Sequence, residues 1–151
     1  MPRPRKLRAV DRPPLYTGFK PVGVRSSDLQ AIDLSLDELE AIRLADHLDM
    51  DQTDAAAQMD ISRSTFSRLV EQARGKVAHF LVDGGHLRIG GGDVHFAGNR
   101  IRCQACGYMF DTELEHAFDT CPNCGSANLV DLAGGFGHGR CCRRHHGRRG
   151  R

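Results

Sequence analysis

Two consecutive segments, residues 51–61 and 62–74, constrain this chain more than any other feature. The first, Asp51-Gln52-Thr53-Asp54-Ala55-Ala56-Ala57-Gln58-Met59-Asp60-Ile61, reads as a short alanine-rich helix running into a tight turn. Asp51 or Thr53 is placed to cap it, with Ala55, Ala56 and Met59 facing inward. The second opens on Ser62, a good N-cap. Its apolar stripe runs through Phe66, Leu69, Val70, Ala73, Val77 and Phe80 or Leu81, joined by Ile61 from the turn. Arg63, Ser64, Ser67, Arg68 and Glu71 are left on the open face. Short helix, turn, amphipathic helix with a basic polar face is the pattern of a DNA-reading helix-turn-helix. Asp60 falls in the turn, where a left-handed backbone is needed and Asp tolerates it better than most residues. The long helix should stop near Asp83-Gly84-Gly85.

Upstream, Ser35-Leu36-Asp37-Glu38 has the form of a capping box, so a further helix starts there. Leu36, Leu39, Ile42, Ala45 and Leu48 recur at helical spacing and predict one buried stripe. Residues 28–33 fit a helical turn or a strand, and residues 16–23 mix aromatic and turn residues like a segment docked on a core. His86-Leu87-Arg88-Ile89 reads as a strand and Gly90-Gly91-Gly92 as a hinge. Val94-His95-Phe96 and Arg100-Ile101-Arg102 read as short strands feeding a second module.

That module is marked by Cys103-Gln104-Ala105-Cys106-Gly107 and Cys121-Pro122-Asn123-Cys124-Gly125. Each pair puts two thiolates on one tight turn, with Gly allowing the backbone amides to point at sulfur, and two such turns complete a tetrahedron around Zn²⁺. Four cysteines leave no open coordination position, so the metal is expected to be structural, contributing folding energy without activating water. Cys141 and Cys142, with His138, His145 and His146, offer a looser second set in a tail that otherwise reads as low-complexity. The segment around the four cysteines resembles the zinc ribbon of nickel-insertion accessory proteins and, more distantly, rubredoxin, where iron would be the metal; the loop between the pairs is short for rubredoxin, which favours zinc. This resemblance implies a ribbon fold and carries no nickel function.

Charge is informative through its distribution. The net value is only +2, but the first twelve residues hold Arg3, Arg5, Lys6, Arg8 and Arg12 against Asp11, and the tail from Arg140 to Arg151 holds arginines and no acid. Residues 28–60 carry ten carboxylates and one base, Arg43. Such polarity suits a protein whose ends and one helix touch phosphates while an acidic face points away. No apolar run approaches the roughly 20 residues of a membrane span, and the basic N-terminus lacks the apolar stretch of a signal peptide. A cytoplasmic location follows as the expectation, where paired cysteines more often hold metal than form disulfides. Catalysis is not expected: the His-x-Glu and Pro-Cys-x-x-Cys pairing of zinc deaminases is missing, and Gly90-Gly91-Gly92 lacks the Lys and helix of a phosphate loop.

Several stretches together resemble a family of predicted bacterial and archaeal DNA-binding proteins, domain of unknown function 134, also called uncharacterised protein family 0251. They are Arg3-Pro4-Arg5-Lys6, Phe19-Lys20-Pro21-Val22-Gly23, Leu36-Asp37-Glu38-Leu39-Glu40-Ala41-Ile42-Arg43-Leu44-Ala45-Asp46, Ala55-Ala56 through Met59, Ser62-Arg63-Ser64-Thr65-Phe66-Ser67-Arg68 and Leu87-Arg88-Ile89. The family's helix-turn-helix is similar to the promoter-reading fourth region of bacterial sigma factors, which implies a three-helix core entering the major groove. Asp60 stands where Gly is usual, and Ser64 where Pro is.

The expected fold is mainly α: a three-helix helix-turn-helix core with short β additions, a small four-cysteine zinc-ribbon module and a disordered basic tail. The expected boundaries are a basic arm over 1–15, a DNA-binding domain over 16–90, the zinc module over 91–133 and the tail over 134–151. Arg63, Ser64, Thr65, Ser67 and Arg68 would face bases and backbone. Arg74 and Lys76 would meet phosphates, and Arg3, Arg5 and Lys6 an adjacent minor groove. Cys103, Cys106, Cys121 and Cys124 would hold zinc. The partner expected is double-stranded DNA, bound by a homodimer since one such motif usually needs a second copy. The alternative is a metal-handling or redox protein centred on the cysteines, with the helices as an interaction platform. A regulator whose tail cysteines and histidines sense metal lies between the two.

Overall fold

A computed structural model describes residues 7–113 and 118–136 of the chain. It divides into two compact units: the chain up to Ala9 with Leu15–Val94, and Val10–Pro14 with the chain from His95 onward. Arg3, Arg5, Lys6, His116 and the tail set His138, Cys141, Cys142, His145 and His146 lie outside the described residues.

The fold is not mainly α. Helix accounts for 37% and strand for 24%, with four helices set against eight strands in three small sheets among the described residues. Strands of two to six residues carry too few alternations to announce themselves by periodicity, which is why the β content is larger than the sequence led us to expect.

In the first unit, β2 (Gly18–Phe19), β3 (Ala31–Leu34) and β4 (His86–Ile89) form a sheet in the order β2-β4-β3. β4 runs antiparallel to β2 and parallel to β3, with Ile32 opposite Leu87 and Leu34 opposite Ile89. These four side chains are buried, and the alternation of Ala31 and Asp33 outward with Ile32 and Leu34 inward gives β3 one packed face. Residues 16–23 are held there by backbone pairing and not by their side chains: Tyr16, Phe19 and Val22 are all exposed.

The connection between the parallel strands β3 and β4 is helical. α1 (Leu36–Ile42) starts on a complete capping box: Ser35 Oγ accepts from the Glu38 amide while Glu38 Oε1 accepts from the Ser35 amide. A π-helical turn follows at Arg43–His47, with the Leu48 amide bonded to the Arg43 carbonyl at 2.9 Å. The wider turn rotates the chain off the 3.6-residue period. The buried apolar residues here are Leu36, Ala41 and Leu44; Leu39, Ile42 and Ala45 are half-buried and Leu48 is exposed, so the expected five-residue stripe is corrected. The acidic residues of α1 do not simply face water either. Asp37, Glu38 and Glu40 are buried and paired with Arg8, Lys76 and Arg43 respectively.

α2 (Gln52–Gln58) and α3 (Arg63–Asp83) pack on α1 around Ala41, Leu44, Ala55, Ala56, Met59, Phe66, Leu69 and Val70. α3 ends as expected, at Gly84 with φ 78°. Beyond Ala73 its stripe thins: Val77 and Phe80 are half-buried and Leu81 is exposed.

In the second unit, β6 (Gly98–Cys103) lies between β7 (Met109–Glu113) and β8 (Leu129–Asp131), antiparallel to both. The remaining two-stranded sheet pairs β1 (Arg8–Val10) with β5 (Val94–Phe96), strands whose residues are divided between the two units. Asn99 is buried and donates to Asp131 at 2.6 Å, while its Oδ1 accepts from the Ala133 amide at 3.1 Å. Asp131 caps α4 (Leu132–Gly135), and Phe136 meets Phe96 with ring centroids 6.0 Å apart. Gly134, Gly135 and Phe136, expected to begin a disordered tail, are thus part of this unit.

Candidate nucleic-acid interface and metal centre

The α2–α3 corner is built by three local devices. Asp51 accepts from the Asp54 amide at 2.9 Å and starts α2. Asp60 adopts φ 57°, the left-handed conformation that turns the chain between the helices. Ser62 Oγ accepts from the Thr65 amide at 3.2 Å and lies 2.8 Å from Thr65 Oγ1 and 3.2 Å from Ser64 Oγ. A dense hydroxyl cluster therefore opens α3, at the end where the helix dipole favours anions. With Phe66, Leu69, Val70 and Ala73 buried, Arg63, Ser64 and Arg68 stand exposed and Thr65 and Ser67 are half-buried.

Arg74 and Lys76, expected at phosphates, are engaged inside the unit. The Arg74 guanidinium donates to Asp46 from Nε at 3.0 Å and from Nη2 at 2.7 Å. This hydrogen-bonded pairing holds the Asp46 carboxyl below its ordinary range and raises Arg74 further. Lys76 Nζ donates to Glu38 Oε1 at 2.6 Å and to the Asp33 carbonyl at 2.8 Å. Sequence reading missed these pairs because their partners lie 28 to 43 residues away.

In the second unit, β6 delivers Cys103 directly onto the first knuckle. The Cys103 amide donates to the Tyr108 carbonyl at 2.8 Å and the Gly107 amide to the Cys103 carbonyl at 2.9 Å. The second knuckle repeats this closure, Cys121 to Ser126 and Gly125 to Cys121, each at 2.8 Å. Gly107 and Gly125 have φ of 78° and 74°, so glycine is required at both turns. The four sulfurs all lie within 4.8 Å of one another, with Cys103 and Cys124 at 3.6 Å and Cys106 and Cys121 at 3.7 Å. These separations are far beyond a disulfide bond of about 2.05 Å. They match the edge of about 3.8 Å expected for a tetrahedron with metal–sulfur bonds of about 2.3 Å. Asn123 adds N–H groups toward sulfur, its amide to Cys121 at 3.4 Å and Nδ2 to Cys106 at 3.6 Å. The Tyr108 backbone, then Asn123, hold the Cys106 thiol down to about 6. The Ser126 backbone lowers Cys124, but Cys106, burial and the other two sulfurs outweigh it and push that thiol up to about 12. Four thiolates do not ionise together without a cation among them, and the cluster could hold a metal ion.

These units define a protein with a helix–turn–helix element beside a small mixed sheet, and a separate four-sulfur centre. The chain belongs to the family described as "Protein of unknown function DUF134", which matches residues 1–97. It is 45% identical over 150 residues to a UPF0251 protein of Moorella thermoacetica, covering 99% of this chain and 97% of the relative. A UPF0251 protein of Chloroherpeton thalassium is 44% identical over 147 residues, covering 95% and 97%. One from Chlorobaculum tepidum is 40% identical over 145 residues, covering 93% and 74%. No solved structure matches. No helix among the described residues is long and apolar enough to cross a membrane.

Proposed function

We propose that the protein is a sequence-specific DNA-binding regulator that reads the major groove with α3. The observation that carries this reading is the exposed face of Arg63, Ser64 and Arg68 directly after the Ser62 hydroxyl cluster, on a helix whose opposite face is locked into the core. Arginine presents two donors to the O6 and N7 of guanine, and hydroxyls at a helix start suit phosphate oxygens. Arg74 ties α3 to the π turn and Lys76 ties it to α1 and β3 in this account, so base reading falls to the first two turns of the helix. Double-stranded DNA is the partner, and two copies of the chain would give useful affinity. Zinc is the metal proposed for the four cysteines, because a closed all-thiolate tetrahedron is its usual structural site. Its task is to hold the two knuckles together and not to react.

The experiment is binding to duplex DNA by wild type and Arg68→Ala. Loss of a bidentate base contact costs about 1–3 kcal/mol and relaxes preference at one position. Equal weakening on every duplex would make Arg68 a phosphate contact. Absence of DNA binding would move attention to the cysteine unit, whose exposed Cys106 and Cys124 are the observation favouring a metal-handling role.

A further inference from the structure

Glu71 stands on the open face of α3, just past the two turns assigned to bases, and has no part in the reading above. At 3.6 residues per turn, Ser64, Arg68, Glu71 and Gly75 fall within about 60° of one another, on the side of the helix opposite the buried Phe66 and Ala73. All four are exposed. Among the described residues the Glu71 carboxylate makes no hydrogen bond or ion pair. Arg74 is near enough for its charge to be felt, but it gives Nε and Nη2 to Asp46. Gly75, one turn further on, is a helix-interior glycine, a choice less stable than alanine. A Cβ there would meet nothing within 4 Å, so packing inside the chain does not call for it. The bare turn keeps side-chain bulk from holding Glu71 away from whatever this face meets.

We propose that Glu71 is a specificity-determining residue that accepts a hydrogen bond from the N4 amino group of a cytosine, an inference that rests on the DNA reading by α3. A free carboxylate on such a face has two possible surroundings. Against phosphates it repels and only weakens binding. Against base edges it is an acceptor without a donor of its own, and cytosine N4 is the major-groove donor that carboxylates pair with. The stripe favours the second. Glu71 lies three residues beyond Arg68, about 4.5 Å along the helix axis, close to the rise of about 3.4 Å between base pairs. It therefore meets the base pair beside the one that Arg68 reads. Together the two side chains select a guanine and a neighbouring cytosine.

The test is selection of the metal-loaded full chain against a randomised duplex pool, run for wild type, Arg68→Ala and Glu71→Gln. Glutamine keeps the length and helix propensity of glutamate at an exposed position, so the fold is not at stake. Because glutamine pairs with adenine N6 and N7, one column of the motif should change from cytosine to adenine in Glu71→Gln, beside the column that Arg68→Ala relaxes. Wild type should bind a duplex with cytosine at that position at least about fivefold more tightly than one with another base there. An unchanged motif with tighter binding to every duplex would place Glu71 against phosphates and overturn the proposal. A change confined to the Arg68 column would do the same, since Glu71 would then act only by positioning the arginine. In both cases a wild-type motif that depends on Arg68 leaves the DNA reading standing. A wild type that enriches no motif overturns the two together.

Discussion

At the scale of single residues, the start of α3 depends on one hydroxyl. Ser62 satisfies the Thr65 amide, a donor that the first turn of a helix otherwise leaves to water. Ser62→Ala should cost about 1 kcal/mol, seen as a lower denaturant midpoint with an unchanged slope. The Arg74–Asp46 pair makes a prediction with a sign. Its carboxyl is held below 3.8, so the stabilisation is complete above that pH and is lost as pH falls through the lower folded value. The melting temperatures of wild type and Asp46→Asn should therefore differ at neutral pH and converge in strong acid. Both side chains are about half exposed, so the difference will be small. A gap that widens in acid would contradict the pairing.

At the scale of elements, what was legible in the sequence follows the range of the interactions involved. Ser35, Ser62, Asp51 and Asp60 act within three or four residues of themselves, and each does what its local pattern implied. The cysteine knuckles were equally plain, because each turn closes over five residues and only the sulfurs converge over distance. The π turn after α1 was not legible: nothing in Arg43-Leu44-Ala45-Asp46-His47 departs from helical spacing, yet the widened turn moves Leu48 into solvent. The parallel pairing of β3 with β4 was hidden for a different reason, since its partners are 55 residues apart and each is only four residues long. The pairings that engage Arg74 and Lys76 are likewise long-range. Metal removal belongs to this scale. A structural four-thiolate zinc contributes on the order of 10–16 kcal/mol to a small module. A strong chelator should therefore collapse the amide dispersion of residues 98–113 and 121–131 while the helical signal of α1–α3 persists. Retention of that dispersion without metal would show the knuckles to be held by other means. Elemental analysis should give one zinc per chain, falling sharply in Cys106→Ser.

At the scale of the molecule, the chain joins a unit that presents arginines and hydroxyls to a unit organised on four sulfurs, within a family matched across residues 1–97. A net charge of +2 is too small to drive general attraction to a polyanion by itself. If the proposed DNA reading holds, specific contacts from α3 carry recognition, with a shallower salt dependence than that of a uniformly basic surface. The most direct test of that claim is selection of the metal-loaded full chain against a randomised duplex pool at near-physiological salt. Enrichment of a short motif, lost with Arg63→Ala and Arg68→Ala together, is the predicted result, and a two-fold symmetric motif would report a dimer. Binding without enrichment, fading steeply with salt, or no binding at all, would contradict DNA reading by α3.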